Sequence, residues 1–113
     1  PVSLNGAKLK KDTGQTAVKF KFLPQAEQDL FDGFYFYELQ QTGLGRYFLD
    51  SLCSDIDSLK FFCGIHPVIF GQHRLLSKRF PFAVYYRIES EVVRIYAVLD
   101  CRKNPAWTRG RLK

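Results

Sequence analysis

The most constraining feature of this chain is a pair of alternating segments, FAVYYRIE at residues 82–89 and VVRIYAVLD at residues 92–100. Every second position in each segment is apolar, which is the period of a β-strand with one buried face. Only Ser90 and Glu91 separate the segments, so they predict an antiparallel hairpin closed by a tight turn. The inner face of this hairpin is predicted to carry Phe82, Val84, Tyr86, Ile88, Val93, Ile95, Ala97 and Leu99.

Two further strands are predicted upstream of the hairpin. The segment 18–22 alternates apolar and basic residues, and Gln72–Lys78 follows a loop marked by Gly64, Pro67 and Gly71. Two helices are predicted between these strands, over Gln25–Gln40 and Arg46–Leu59, each with an apolar stripe at helical spacing. The short Thr42–Gly45 break between them indicates an antiparallel helical hairpin.

The predicted order is therefore β-α-α-β-β-β, an α+β domain with an αα-hairpin packed on one face of a small, mainly antiparallel sheet. We expect this single domain to cover residues 18–113. Residues 1–17 are polar and lack periodicity, so we interpret them as a flexible N-terminal extension.

Composition and motifs exclude several classes of protein. Hydrophobic residues make up 46% of the chain, which is typical of a globular domain, but no stretch approaches the ~20 apolar residues of a membrane span. We see no secretory signal, and three cysteines without a CxxC pair do not suggest a disulfide framework, so we expect a cytoplasmic protein. Cys63, His66 and His73 lack a fourth zinc ligand nearby, and no glycine-rich phosphate motif is present, so we expect neither a metal nor a cofactor.

Charge is unevenly distributed along the chain. Residues 25–60 carry seven acids and two bases, whereas residues 72–113 carry ten bases and three acids. The basic region either forms a solvated surface or meets a polyanion or an acidic partner. Aromatic side chains interleave with its cations, which favours an interface. The candidate target-binding residues are Arg74, Lys78, Arg79, Tyr85, Arg87, Arg94, Tyr96, Arg102, Lys103 and Trp107.

Several motifs together resemble one family. The stretch HRLLSKRFPFAVYYRI at residues 73–88 is similar to the central signature of RelE/ParE toxins, the bacterial type II toxin–antitoxin proteins. The stretches VRIYAVL at 93–99 and RKNPAW at 102–107 resemble the end of the family pattern, and GLGRYF at 43–48 resembles an upstream motif. The resemblance extends from Val18 to about Arg109 and implies the helical-hairpin fold described above and a cognate antitoxin as partner.

The family divides by mechanism. RelE-like members cleave mRNA on the ribosome, and ParE-like members poison DNA gyrase. Arg74 and Arg102 match two cationic positions of the RelE-like catalytic pattern, but Leu76 and Ala83 stand at two others. The resemblance therefore favours the ParE-like branch: a growth-inhibiting toxin of the plasmid-stabilisation type that binds DNA gyrase and is not an enzyme.

Two alternatives remain open. One is a ribosome-dependent mRNA endoribonuclease, for which His73, Arg74, Arg87 and Arg102 are the candidate catalytic residues, with His73 as acid or base. The other is a non-toxic binding module that has kept the fold. We expect Arg74, Arg87 and Arg102 to lie on one side of the protein. The resemblance also implies an antitoxin segment on the helical hairpin, for which the candidate contacts are Phe31, Tyr35 and Phe48.

Overall fold

A computed structural model describes residues 18–113 of the chain. The predicted extension at residues 1–17 lies outside the described residues. In chain order the elements are β1 (Lys19–Phe22), α1 (Pro24–Gln40), α2 (Leu44–Asp57), α3 (Leu59–Phe62), β2 (Val68–Ile69), β3 (Gln72–Leu76), β4 (Phe82–Glu89), β5 (Val92–Asp100) and α4 (Pro105–Leu112). The predicted α+β class, with a helical hairpin on a sheet, is confirmed.

The five strands form one sheet in the order β1-β5-β4-β3-β2. Strands β2 to β5 form an antiparallel meander, and β1 adds to its edge parallel to β5. Three helices and three strands separate β1 from β5 in the chain. They return the chain to the edge of the sheet where it began, and β5 then runs in the same direction as β1. Helix α1 packs across β5, so the helical hairpin covers one face of the sheet.

The hairpin turn is held by a carboxylate. Glu38 near the end of α1 accepts hydrogen bonds from the backbone N–H groups of Gly43 and Gly45, which have no intrahelical partner at the start of α2. Gly43 has a φ of 92°, a left-handed conformation that glycine adopts at little cost. Helix α2 consequently begins at Leu44, two residues before the predicted start.

The main core lies between the hairpin and the sheet and is centred on aromatic rings. Phe48 is fully buried, and its ring centroid lies 5.2 Å from Tyr37, 5.1 Å from Phe80 and 4.9 Å from Phe82. A Cβ added at Gly33 of α1 would lie 2.5 Å from two ring carbons of Phe48. The two helices therefore approach closely because position 33 has no side chain.

The β4–β5 ladder contains a bulge that corrects the predicted inner face. Tyr85 is opposite Ala97 and Tyr86 is opposite Ile95, so one extra residue of β5 lies between these pairs. A one-residue insertion moves all later side chains to the other face. Val93, Ile95 and Val98 thus join the main core, whereas Ala97 and Leu99 lie in a second apolar cluster on the opposite face.

Helix α4 covers that second face and is an element that the strand-based sequence analysis did not predict. Asn104 begins it, because its side-chain oxygen accepts a hydrogen bond of 2.7 Å from the Ala106 N–H, and Pro105 occupies the first turn. Leu112 at its other end packs with Ala83, Tyr85, Ala97 and Leu99. None of the helices in residues 18–113 is long and apolar enough to cross a membrane.

Candidate functional site

Tyr85, a candidate target-binding residue, is only 4% exposed. It lies beneath α4 in the second apolar cluster, so the prediction that it is part of an open binding face is wrong. Arg74 of β3 is directly opposite Tyr85 in the ladder, so the two side chains lie on the same face of the sheet. Burial raises the pKa of Tyr85, and the nearby Arg74 partly opposes this change. Tyr85 is therefore a covered neighbour of Arg74 and does not meet a partner itself.

A row of cations crosses the same face of the sheet. Arg94 of β5 is opposite Lys21 of β1 on one side and Arg87 of β4 on the other. Glu89 accepts a hydrogen bond of 2.6 Å from Nε of Arg94, and its other carboxylate oxygen lies 4.0 Å from Nε of Arg87, so two of these charges share one carboxylate. We call Lys21, Arg94 and Arg87 the basic row. It includes two of the candidate residues and Lys21, which sequence reasoning did not select.

Tyr96 lies beside the basic row, as the interleaving of aromatic and basic residues indicated. The guanidinium carbon of Arg87 is 5.5 Å from the centre of the Tyr96 ring, within the range of a cation–π contact. Both side chains are partly exposed. This pair therefore offers a flat, positively charged surface to a ligand.

Arg102, Lys103 and Trp107 form a separate group at the end of β5. Arg102 donates from Nε and Nη2 to the two carboxylate oxygens of Asp100, at 2.9 and 2.7 Å, and lies beside Tyr37 of α1. These hydrogen bonds hold the pKa of Asp100 below its usual value. Lys103 is 5.0 Å from the Trp107 ring. The structure thus places Arg74 and Arg87 on one face of the sheet and directs Arg102 towards the hairpin.

Lys78 and Arg79 lie in the exposed turn between β3 and β4. Asp55 of α2 holds this turn, since its Oδ2 accepts hydrogen bonds from Ser77 Oγ at 2.7 Å and from the Lys78 N–H at 3.3 Å. Asp55 was not among the candidate residues, and its side chain is buried. The signal that could have identified it is helical spacing, because it follows the buried Leu52 by three residues and the buried Phe48 by seven.

His73 faces the main core, on the opposite side of the sheet from Arg74. Its ring stacks on Tyr86 at 5.0 Å, and its Nδ1 is 2.8 Å from the carbonyl oxygen of His66. His66 in turn hydrogen-bonds the Tyr86 hydroxyl, which also accepts from the Gly64 N–H. Burial, and then the nearby His73, lower the pKa of His66. The candidate nuclease residues therefore do not converge on one site.

The candidate antitoxin contacts differ in whether a partner could reach them. Phe31 and Tyr35 of α1 are 40% and 61% exposed, but Phe48 is fully buried and cannot contact a partner. Phe48 fills the space above Gly33, a requirement that helical spacing does not reveal. Leu39, which is 88% exposed, continues the line of Phe31 and Tyr35 at intervals of four residues. We call Phe31, Tyr35 and Leu39 the hairpin stripe.

Within residues 18–113 no group of three or more His, Cys, Asp or Glu side chains is arranged to hold a metal ion. The sequence matches no family model, and no curated protein is significantly similar to it. Among solved structures, a chain described as "Chromosomal ParDE TA system from P. aeruginosa" superimposes with a TM-score of 0.65. The two chains are 15% identical, and the match covers 72% of this chain and 92% of the other. At this identity the likeness concerns the fold, and it agrees with the sequence motifs: the chain has a ParE-like toxin fold.

Proposed function

We propose that this protein is the toxin component of a bacterial type II toxin–antitoxin system, and that it inhibits growth by binding DNA gyrase. The ParE-like fold supports the first part of the proposal. For the second part, DNA gyrase is the target that the resemblance to the ParE-like branch implies, and the placement of His73 and Arg74 weighs against the nuclease alternative. A nuclease that activates a 2′-hydroxyl needs its base and its phosphate-binding cations within reach of the same atoms. His73 stacks on Tyr86 on the hairpin face, whereas Arg74 is opposite Tyr85 on the other face.

The proposed target-binding surface combines the exposed members of the original set. Arg87 and Tyr96 provide a flat cationic surface on the sheet, and Lys78 and Arg79 extend the positive charge along the β3–β4 turn. Trp107 of α4 is 41% exposed and adds an aromatic contact at the end of β5. Tyr, Trp and Arg side chains are enriched in the energetically important centres of protein interfaces. This composition supports a protein target for the surface.

We place the cognate antitoxin on the hairpin stripe. Three exposed apolar side chains at successive turns of α1 suit the apolar face of a partner helix. Large apolar side chains exposed in a row are costly in water unless a partner covers them. Antitoxin bound here would neutralise the toxin by covering its surface or by constraining its helical hairpin. Both proteins would act in the cytoplasm.

Induced expression of the full chain in a bacterial host tests the proposed activity, with growth, plasmid topology and mRNA integrity measured in parallel. We expect growth arrest and altered plasmid topology before any loss of mRNA integrity. The substitution Arg87→Ala should weaken the arrest, whereas His73→Ala should leave it largely intact. Rapid mRNA cleavage that His73→Ala abolishes would establish the endoribonuclease alternative. Normal growth with soluble, folded protein would instead favour the non-toxic binding module.

Co-expression with the protein encoded by the adjacent gene tests the antitoxin surface. We expect Tyr35→Asp to abolish co-purification and rescue of growth while leaving toxicity in place, since the hairpin stripe lies apart from the basic row. Phe61→Asp is a matched control, because Phe61 is an exposed aromatic residue on α3 outside the stripe. Rescue of the Tyr35→Asp variant with unchanged efficiency would remove the hairpin stripe from the proposal.

A further inference from the structure

A cleft of about 360 Å³ lies between the β1–α1 junction, the sheet and the end of α4. Gln72 of β3, Arg87 of β4 and Tyr96 of β5 contribute to it from the sheet, and Leu112 and Lys113 contribute from the end of α4. Leu23 adds an apolar wall at the start of α1. The volume lies within the range of small-molecule sites, from about 300 to 1,000 Å³.

Gln72 is the feature of the cleft that the fold alone does not explain. Its residue surface is only 5% exposed, and its side-chain oxygen Oε1 is buried with no hydrogen-bond partner among residues 18–113. A buried acceptor without a partner lowers the stability of the fold, and an apolar side chain of similar shape would avoid this cost. Because other atoms of Gln72 line the cleft, a rotation of its amide would turn this acceptor towards a ligand that donates a hydrogen bond.

The electrostatics of the cleft favour an anion. Arg87 and Lys113 line it, and no acidic side chain is among its described lining residues. Glu89 lies 4.0 Å from Nε of Arg87, but this one carboxylate also binds Arg94, so it offsets only part of the charge of the two arginines. Arg111 also lines the cleft, but Asp29 already binds both of its terminal nitrogens at 2.9 Å. Helix α1 begins beside the cleft, where Leu23 supplies no capping side chain, and the positive end of its dipole adds to the attraction.

We propose that this cleft binds an aminopurine nucleotide such as adenosine 5′-monophosphate. A glutamine amide presents an adjacent acceptor and donor, which match the amino group and N7 of adenine. The ring would lie against Tyr96, Leu23 and Leu112, and the phosphate would meet Arg87 and Lys113. Other ligands account for fewer of these features, because inorganic phosphate leaves Gln72 unpaired and an uncharged nucleoside leaves the cations unused.

This inference goes beyond the proposed toxin function and does not depend on it. Isothermal titration of the purified full chain tests it, with adenosine 5′-monophosphate, inosine 5′-monophosphate, ribose 5-phosphate and inorganic phosphate as separate ligands. We expect adenosine 5′-monophosphate to bind at least about tenfold more tightly than the inosine nucleotide, which has an oxygen in place of the amino group, because a site left with an unpaired polar group rejects the analogue.

Two variants assign the binding to the cleft. Gln72→Leu should lower the affinity for adenosine 5′-monophosphate to that for the inosine nucleotide while keeping or raising the thermal midpoint. Arg87→Gln should weaken both nucleotides by a similar factor. Arg109→Gln is the control, because Arg109 is an exposed arginine of α4 that does not line the cleft. The comparison of the two nucleotides on the unmodified chain stands even if the Gln72→Leu variant does not fold.

Three results would overturn the inference. They are no binding of adenosine 5′-monophosphate at millimolar concentration, equal affinity for it and for ribose 5-phosphate or inorganic phosphate, and unchanged binding in both cleft variants. None of these results bears on growth arrest or plasmid topology, so failure here is distinguishable from failure of the toxin proposal.

Discussion

The two faces of the sheet are covered in different ways. On one face, α1 and α2 bury a continuous core that includes Phe48, Leu52, Tyr86 and Ile95. On the other face, α4 covers a small cluster and contributes one buried residue, Leu112. The first arrangement stabilises the fold through a large apolar area. On the second face, the short α4 leaves the basic row and the cleft accessible. The face that contributes less to stability is therefore the one suited to binding.

Helix length explains why the second cover is the weaker one. Isolated helices shorter than ~12–15 residues are marginal in water, and α4 has 8 residues. Its position depends on Leu112 and on the ion pair between Arg111 and Asp29 of α1, which lies 82 residues away in sequence. Asp29 also accepts a hydrogen bond of 3.0 Å from the Val98 N–H, so one carboxylate links α1, β5 and α4.

The largest effect should come from the hairpin face. Phe48→Ala removes the ring at the centre of the aromatic cluster, and we expect it to lower the free energy of unfolding by about 3–5 kcal/mol. Equilibrium urea unfolding measures this change. Tyr47→Ala is the control, since Tyr47 is the adjacent residue and is 47% exposed. Equal losses in the two variants would contradict the central place given to Phe48.

A smaller effect should follow from Leu112→Ala on the other face. We expect a loss of about 2–3 kcal/mol, at the low end for a buried leucine, because the site lies at the edge of the domain. Amide hydrogen exchange should increase in α4 well before it increases in β5. Simultaneous exchange of both elements would show that α4 is an integral part of the core. Leu39→Ala, at an exposed position of α1, serves as the control.

Asp29→Asn tests the link between the two faces. It removes the charge from the ion pair with Arg111, and we expect a loss of about 1–2 kcal/mol because hydrogen bonds to charged groups contribute roughly 1.5–3 kcal/mol. The urea midpoint and the fluorescence of Trp107 on α4 report it. Asp32→Asn should change neither by a comparable amount, because Asp32 is exposed and accepts a hydrogen bond from Gln28 of its own helix. A similar loss in both variants would show a general charge effect.

The smallest effect should be a dependence of stability on pH through His66. Its pKa in the folded protein lies below the ordinary value of 6.5, so the unfolded chain binds more protons as the pH falls through 6.5. The contribution of His66 is therefore fully present above that pH and is lost below it. Urea midpoints measured from pH 7.5 to 5.5 should decline, and His66→Asn should reduce the decline. An unchanged slope in the variant would assign the dependence to other groups.

The sequence placed a site residue correctly when the pattern that identified it lay within one strand or one hairpin. Arg87 and Tyr96 lie on adjacent strands of one hairpin, and the structure brings them together as their alternation indicated. Tyr85 follows the same alternation, but it packs with Leu112 of α4, a helix that the strand patterns do not predict. Phe48 likewise carries no local sign of burial, because the space it fills depends on Gly33 of another helix. Gln72 gave no signal at all, since its significance comes from its burial without a partner.

Local sequence patterns were sufficient to predict the α+β class, the helical hairpin and the β4–β5 pairing. Each depends on residues close together in the chain, whose period of two or 3.6 fixes which side chains share a face. Three features required the folded structure: the point at which β5 changes faces, the face that α4 covers, and the direction of Arg102 towards Tyr37. The bulge between Tyr85 and Tyr86 and the contact of Arg111 with Asp29 join residues on separate elements. Their energies depend on the assembled sheet and helices, and no periodicity within one segment encodes such an interaction.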